Sequence, residues 1–281
     1  LRGEQYEGLR HWFDAYVQSF RAIPGFRSWV DLKDSHTRRV EEIAGRLGKS
    51  LDLPEEDLYL AGAIALLHDV GRFVQIRLYG TFNDRCSENH AALGTRVLQE
   101  TGVLDGLPPG EAALILTAVG LHNLRRLPGD LAPRPALFAR LVQDADKLDI
   151  LELFTRYYDG EEGLPGEVLD SHLPDTPGFS AALVEDVRHG RLGSYEDVQN
   201  RNDRKILHLS WVYGIHFPYT LAEVGRKGYL DRIAASLPST PVVREIHRAV
   251  AEYVARAGGP ERAQGARGRH RRETCGRFGP P

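Results

Sequence analysis

The run Leu60-Ala61-Gly62-Ala63-Ile64-Ala65-Leu66-Leu67 is apolar at every position and ends on His68 and Asp69. A helix that is apolar on all sides must be enclosed by other elements. The run is far shorter than the roughly 20 residues needed to span a bilayer. It therefore predicts a buried helix in a packed core, not a membrane segment. A charge at the end of so apolar a helix needs a partner, because an unpaired buried charge is costly. The pair His68-Asp69 is thus the first place to look for chemistry.

The rest of the chain also follows a helical period. Tyr6, Leu9, Phe13, Tyr16, Val17 and Phe20 recur at helical spacing within residues 4–20, and Ile23-Pro24-Gly25 breaks that pattern. A second helix is expected over 35–47. A third begins at Pro54 with acids in its first turn and runs to His68-Asp69, with Gly71 near its end. Residues 79–85 read as a loop, Ser87 caps a helix carrying His90, and Pro108-Pro109 opens one running to about His122. Residues 127–135 read as loop and 136–154 as a long helix. The Gly- and Pro-rich stretch 160–178 reads as a connector to helices over about 180–187, 201–213, 221–237 and 241–257. No internal repeat and no convincing strand-period stretch occurs. The expected architecture is all-α: a core domain with its N-terminal helix over 1–156, a C-terminal helical extension packed on it over 157–256, and a disordered basic tail over 257–281.

Charge and cysteine usage narrow the function classes. The net charge is −3, yet residues 257–281 hold six arginines and two glutamates, a balance of +4, so residues 1–256 carry −7. An acidic body argues against broad nucleic-acid binding, which depends on neutralising phosphates. The two cysteines, Cys86 and Cys275, are too few and too far apart for a disulfide framework, so a reducing cytoplasm is the expected compartment. Residues 1–20 mix charges with aromatics and do not read as a signal peptide. The chain does not begin with Met, which leaves room for sequence upstream.

Several polar residues stand on or beside these apolar helices: His36, the pair His68 and Asp69, His90, His122 and Asp146. Imidazole nitrogen together with carboxylate oxygen suits divalent metals of intermediate softness. To surround an ion such ligands must come from several helices, since one helix face offers only neighbours three or four apart.

The order of His36, then Ala65-Leu66-Leu67-His68-Asp69-Val70-Gly71-Arg72, then Asp144-Ala145-Asp146-Lys147-Leu148-Asp149 resembles the HD superfamily of metal-dependent phosphohydrolases. The resemblance spans roughly residues 30–155 and implies an HD-domain helical core with metal ligands at His36, His68, Asp69 and Asp146. Asp144 and Asp149 are the alternatives to Asp146. Asn89-His90-Ala91-Ala92-Leu93-Gly94 and Leu121-His122-Asn123 resemble the segments that supply extra histidines in dinuclear members. One or two divalent transition-metal ions are therefore implied, with Mn, Fe, Co, Ni and Zn all open. The Gly-Tyr-Pro signature of cyclic-di-GMP phosphodiesterases, the Glu-Asp pair of alarmone hydrolases and the His-Gly-Pro-Phe-like extension of deoxyguanosine triphosphatases are all absent. The chain is closest in pattern to an uncharacterised bacterial group of HD hydrolases that shares Arg72-Phe73 and Gly80-Thr81-Phe82-Asn83-Asp84-Arg85.

This resemblance implies hydrolysis of a phosphoester by metal-activated water, with a small nucleotide-like substrate as the expected partner. The enzyme would be a phosphomonoesterase or a phosphodiesterase. Asp69 is the expected bridge between ions, with Asp144 or Asp149 orienting ligand histidines. Arg72 and Lys147 are expected to assist catalysis and to hold phosphate oxygens, with Arg85 as a third substrate contact. Two other readings stay open: an HD-fold diiron oxygenase, and a non-catalytic module that senses a nucleotide.

Overall fold

The computed structural model describes residues 1–164, 166–169 and 173–259. Every regular element among them is helical. In chain order these are α1 (Gly3–Arg21), α2 (Arg27–Ser50), α3 (Glu55–Leu67), α4 (Val70–Tyr79), α5 (His90–Glu100), α6 (Pro109–Leu121), α7 (Pro133–Tyr158), the single turn α8 (Gly166–Leu169), α9 (Ala181–Arg188), α10 (Arg201–Ser210), α11 (Pro218–Lys227), α12 (Tyr229–Ala235) and α13 (Pro241–Ala257), with 3-10 turns at Asp84–Cys86, Tyr195–Asp197 and Trp211–Gly214. The chain divides into two compact units. The first comprises residues 1–48 with 53–173, and the second comprises 49–52 with the residues from 174 onward.

The first unit is organised around α3. Every residue from Leu60 to Leu67 is buried, because α1, α6 and α7 all pack on this one helix. Burial of a Leu side chain is worth about 2 kcal/mol, so the continuous apolar run is what fixes α3 at the centre. Glu55, Glu56 and Asp57 fill its first turn and complement the helix dipole. Its C-terminal end therefore delivers His68 and Asp69 into the interior.

Around that end the local structure differs from the sequence expectation. Gly71 does not close α3. The helical path breaks two residues earlier, at Asp69 (φ −108°, ψ 16°), and restarts at once as α4, a helix the sequence pattern does not signal and whose last residue, Tyr79, falls in the expected loop. Gly71 serves a different purpose: a Cβ there would lie 2.1 Å from the His90 carbonyl oxygen and 2.5 Å from the Gly94 nitrogen. Only glycine admits this approach of α4 to α5. Gly80, at φ +65°, closes α4 in the left-handed conformation. The cap of α5 is Asn89, not Ser87; its side chain accepts hydrogen bonds from the Ala91 and Ala92 amides at 2.9 and 3.1 Å.

The second unit is built on stripes instead of an all-apolar helix. Val243, Ile246, Val250 and Val254 form the buried face of α13, which packs with α9, α10, α11 and α12. The single helix expected over 221–237 is two, because Gly228 turns left-handed (φ +65°) between α11 and α12. Residues 260–281 of the expected basic tail, with Cys275, lie outside the described residues, as does His172. Among the described residues no helix is long and apolar enough to cross a membrane.

Candidate metal centre

Five helices of the first unit bring the six expected ligands together. His36 comes from the middle of α2, His68 and Asp69 from the α3–α4 junction, His90 from the first position of α5, His122 from the end of α6 and Asp146 from α7. All four histidines and Asp69 are buried. Neighbouring imidazole rings form a continuous series, with centroids 5.4 Å apart for His36–His68, 5.1 Å for His68–His122 and 4.9 Å for His90–His122.

Each ring is held by its outer nitrogen. His36 Nδ1 lies 2.7 Å from Asp149 Oδ2, and Arg39 Nε donates to the other oxygen of that carboxylate at 2.5 Å. His90 Nδ1 lies 2.7 Å from Asp84 Oδ2. His68 and His122 use backbone carbonyls, of Ala65 at 2.6 Å and Val119 at 2.7 Å. A carbonyl only accepts, so Nδ1 of both rings carries a proton and a neutral ring then presents an Nε2 lone pair inward. Gln143 steadies the α6 end by donating to the Leu121 and Leu124 carbonyls.

The inner atoms form two groups that share Asp69. His36 Nε2 is 3.1 Å from Asp146 Oδ1 and 3.6 Å from Asp69 Oδ2, and His68 Nε2 is 3.6 Å from that same Asp69 oxygen. On the other side Asp69 Oδ1 lies 3.6 Å from His90 Nε2 and 3.7 Å from His122 Nε2. Two sets therefore have the composition and spacing to hold a metal: His36, His68 and Asp146, and His68, Asp69 and His122.

The donors fit a divalent ion on a direct observation: Nε2 of His36 and of His68 is buried, and although Asp146 Oδ1 lies 3.1 and 3.7 Å from them, neither makes a well-directed hydrogen bond. Buried polar atoms are normally satisfied, and here two imidazole nitrogens and two carboxylates converge without satisfying one another, which is the arrangement a shared cation would complete. His90 Nε2 and His122 Nε2 stand 3.0 Å apart. With both Nδ1 atoms as donors, two facing lone pairs at that distance need a proton or a cation between them.

The electrostatics follow from this crowding. Burial alone would raise Asp69, but Lys33, His68, His122 and Arg72 outweigh it and hold the carboxyl well below its usual range. Asp146 is likewise lowered, with burial opposed by His36 and His68. For His36, burial and Lys33 push down, while Asp146 and Asp149 push up and prevail. Burial and the Arg72 charge force His90 down to about 3. Burial raises Asp84, yet its bond with His90 and the nearby Arg72 charge bring it to about 2. Both ring-orienting pairs thus keep an ionised carboxylate behind the imidazole, which raises its strength as a ligand.

The expected cations stand in three situations. Arg72 Nη1 donates to the Phe82 carbonyl oxygen (2.5 Å), Gln75 Oε1 (2.8 Å) and Asp84 Oδ1 (3.1 Å), and its Nε is 3.5 Å from Asp69 Oδ1. Lys147, beside Asp146, is half-buried, and burial lowers its ammonium from the ordinary value. Arg85 is exposed on the 3-10 turn after Asn83.

Three participants escaped sequence reasoning. Lys33 Nζ sits 2.6 Å from Asp69 Oδ2, Asp84 orients His90, and Arg39 braces Asp149. Lys33 and Arg39 each stand three residues from His36 on α2, so helical spacing carried a signal for both. Asp84 lies in the stretch 80–85 that the resemblance picked out, but its partner was not readable, because the contact depends on the fold of the loop after α4.

With this geometry in hand, comparison with known proteins adds one result. Residues 34–151 match the family model of the HD domain, consistent with the HD superfamily of metal-dependent phosphohydrolases. No curated protein and no solved structure matches the chain.

Proposed function

We propose that the helical unit carrying the HD domain hydrolyses a phosphoester of a small, nucleotide-like molecule at a metal centre formed by His36, His68, Asp69, His90, His122 and Asp146. The observation that carries this reading is the inward convergence of imidazole Nε2 atoms on Asp69 and Asp146, two of them buried without a well-directed hydrogen bond. These residues would hold a divalent ion, whose Lewis acidity would serve to activate water and to offset phosphoryl charge.

The chain's own residues prepare the site. Asp149 and Asp84, with the Ala65 and Val119 carbonyls, fix ring orientation and tautomer, so the inward nitrogens are placed before any ligand arrives. Asp69 offers its two oxygens to the two histidine groups, which suits it to bridge. Lys147 stands next to Asp146, and Arg72 is positioned by Gln75, Phe82 and Asp84. These are the cations we assign to the phosphate oxygens, with Arg85 at the exposed edge.

Elemental analysis joined to a panel of phosphomonoesters and phosphodiesters tests the reading. Wild-type protein is expected to hold a transition metal and to cleave at least one member. His68→Ala is expected to lose both. Full metal content and full activity in His68→Ala would refute the site, and tightly held iron with oxygen uptake would move the chemistry to oxidation.

A further inference from the structure

Asp69 is flanked by two cations that are held in different ways. Arg72 has three further acceptors on Nη1, so its position is fixed whatever Asp69 does. Lys33 has a single hydrogen bond among the described residues, to Asp69 Oδ2 at 2.6 Å. That same oxygen faces His36 Nε2 and His68 Nε2, each 3.6 Å away. The Lys33 ammonium thus sits on the carboxylate oxygen directed at the His36–His68–Asp146 group.

An ammonium and a dication on one carboxylate oxygen repel each other, and Lys33 has the freedom to leave. Its four-carbon stem ends in a compact point charge with no geometric demand on its partner. The side chain keeps 15% of its surface exposed. Its ammonium lies 5.5 Å from the Phe82 ring centre, and Phe82 meets Trp29 edge-on at 5.0 Å. Trp29, Lys33 and His36 fall at helical spacing along one face of α2. Both aromatic residues are half-buried, so Lys33 runs from solvent-accessible surface down to Asp69.

We infer that Lys33 is an exchangeable cation of this centre: it neutralises Asp69 when no ion is bound, and on metal loading it moves to an anionic oxygen of the phosphoryl ligand. The inference rests on the phosphohydrolase reading above and adds a phosphate-binding residue to it. Two opposite effects of one substitution follow. Removing Lys33 removes a competitor of the metal, and it also removes a contact of the phosphate.

The test uses the full chain freed of metal. Manganese is titrated in and free manganese is followed by electron paramagnetic resonance; inorganic phosphate is then titrated into the manganese-loaded protein. Lys33→Met is expected to bind manganese about 5-fold tighter or better and phosphate about 10-fold more weakly. Lys33→Arg keeps the charge and is expected to return manganese affinity close to wild type, which separates the effect from damage to folding. Unchanged or weaker manganese binding by Lys33→Met, or unchanged phosphate binding, overturns the inference. If His68→Ala loses manganese while Lys33→Met behaves as wild type, only the role of Lys33 falls. If wild type and His68→Ala bind manganese alike, the metal reading itself falls and takes this one with it.

Discussion

Asp69 and Asp203 are both buried aspartates in helical surroundings, one in each compact unit, and their partners are of opposite kinds. Asp203 accepts hydrogen bonds from the Ser180 amide at 2.6 Å and the Gln199 amide at 3.0 Å, while its own amide is capped by Asn200 at 2.9 Å. Its carboxylate pins two loop segments to the start of α10. Asp69 faces side chains instead: Lys33, Arg72 and the Nε2 atoms of four histidines at 3.6 to 3.7 Å. A carboxylate saturated by backbone amides has spent its lone pairs on the fold. One ringed by imidazole nitrogens outside hydrogen-bond distance keeps coordination capacity, and it is tolerated in the interior because Lys33 and Arg72 balance it. Burial is common to both; the kind of donor separates structure from chemistry.

Substitutions should separate the two aspartates cleanly. The largest effect belongs to Asp69→Ala, expected to lower phosphoester hydrolysis about 10³-fold and to strip bound metal, measured by turnover and elemental analysis on a folded protein. Asp203→Ala should do the converse. Removing the acceptor of the Ser180 and Gln199 amides from the buried start of α10 costs about 2 kcal/mol, visible as a lower urea midpoint, while metal content per folded chain stays at the wild-type level. Loss of metal from Asp203→Ala would break the comparison.

A smaller effect is expected one step out from the ligands. Asp84→Ala leaves His90 Nδ1 without its carboxylate and should weaken metal binding about 10- to 100-fold, read by chelator competition. If Asp84→Ala matches wild type, the orientation of His90 does not depend on this bond.

The smallest expected effect sharpens the contrast from the side of the second unit. His208 is buried on α10, and burial together with the Arg204 charge holds its pKa well below 6.5. Above pH 6.5 both folded and unfolded chains keep it neutral. Below that, the unfolded chain takes up a proton that the folded chain refuses, so stability falls as pH drops. The loss is at most about 1.4 kcal/mol per pH unit. His208→Leu should flatten this slope in urea titrations between about pH 7.5 and 5.5; an unchanged slope would show that another group sets it.

Much of this was legible in the chain. The apolar run 60–67 dictated a central helix, and α3 is that helix. The period of 4–20 and 241–257 matched α1 and α13 because each has one apolar face against its own unit. Errors arose where a residue type had two uses. Gly71 read as a helix terminator, yet its function is to let the His90 carbonyl approach, so α4 was missed. Ser87 and Asn89 both have capping side chains, and only the path of the loop chose Asn89. Among the candidate site residues, the six candidate ligand positions were readable as an ordered set; spacing from His36 carried a signal for Lys33 and Arg39 that the pattern of ligands did not use, and the role of Asp84 depended on the loop after α4.

By itself the sequence determined the all-helical character, the enclosed α3 and the order in which histidines and aspartates arrive. Tertiary structure alone decided which nitrogen of His36 points inward and which Asp69 oxygen faces which histidines. The reason is physical: His68 and His122 are turned by carbonyls three residues back on their own helices, whereas His36 is turned by Asp149, 113 residues away. Helical periodicity encodes which face of a helix is buried, but it says nothing about which atom of a distant helix will stand opposite.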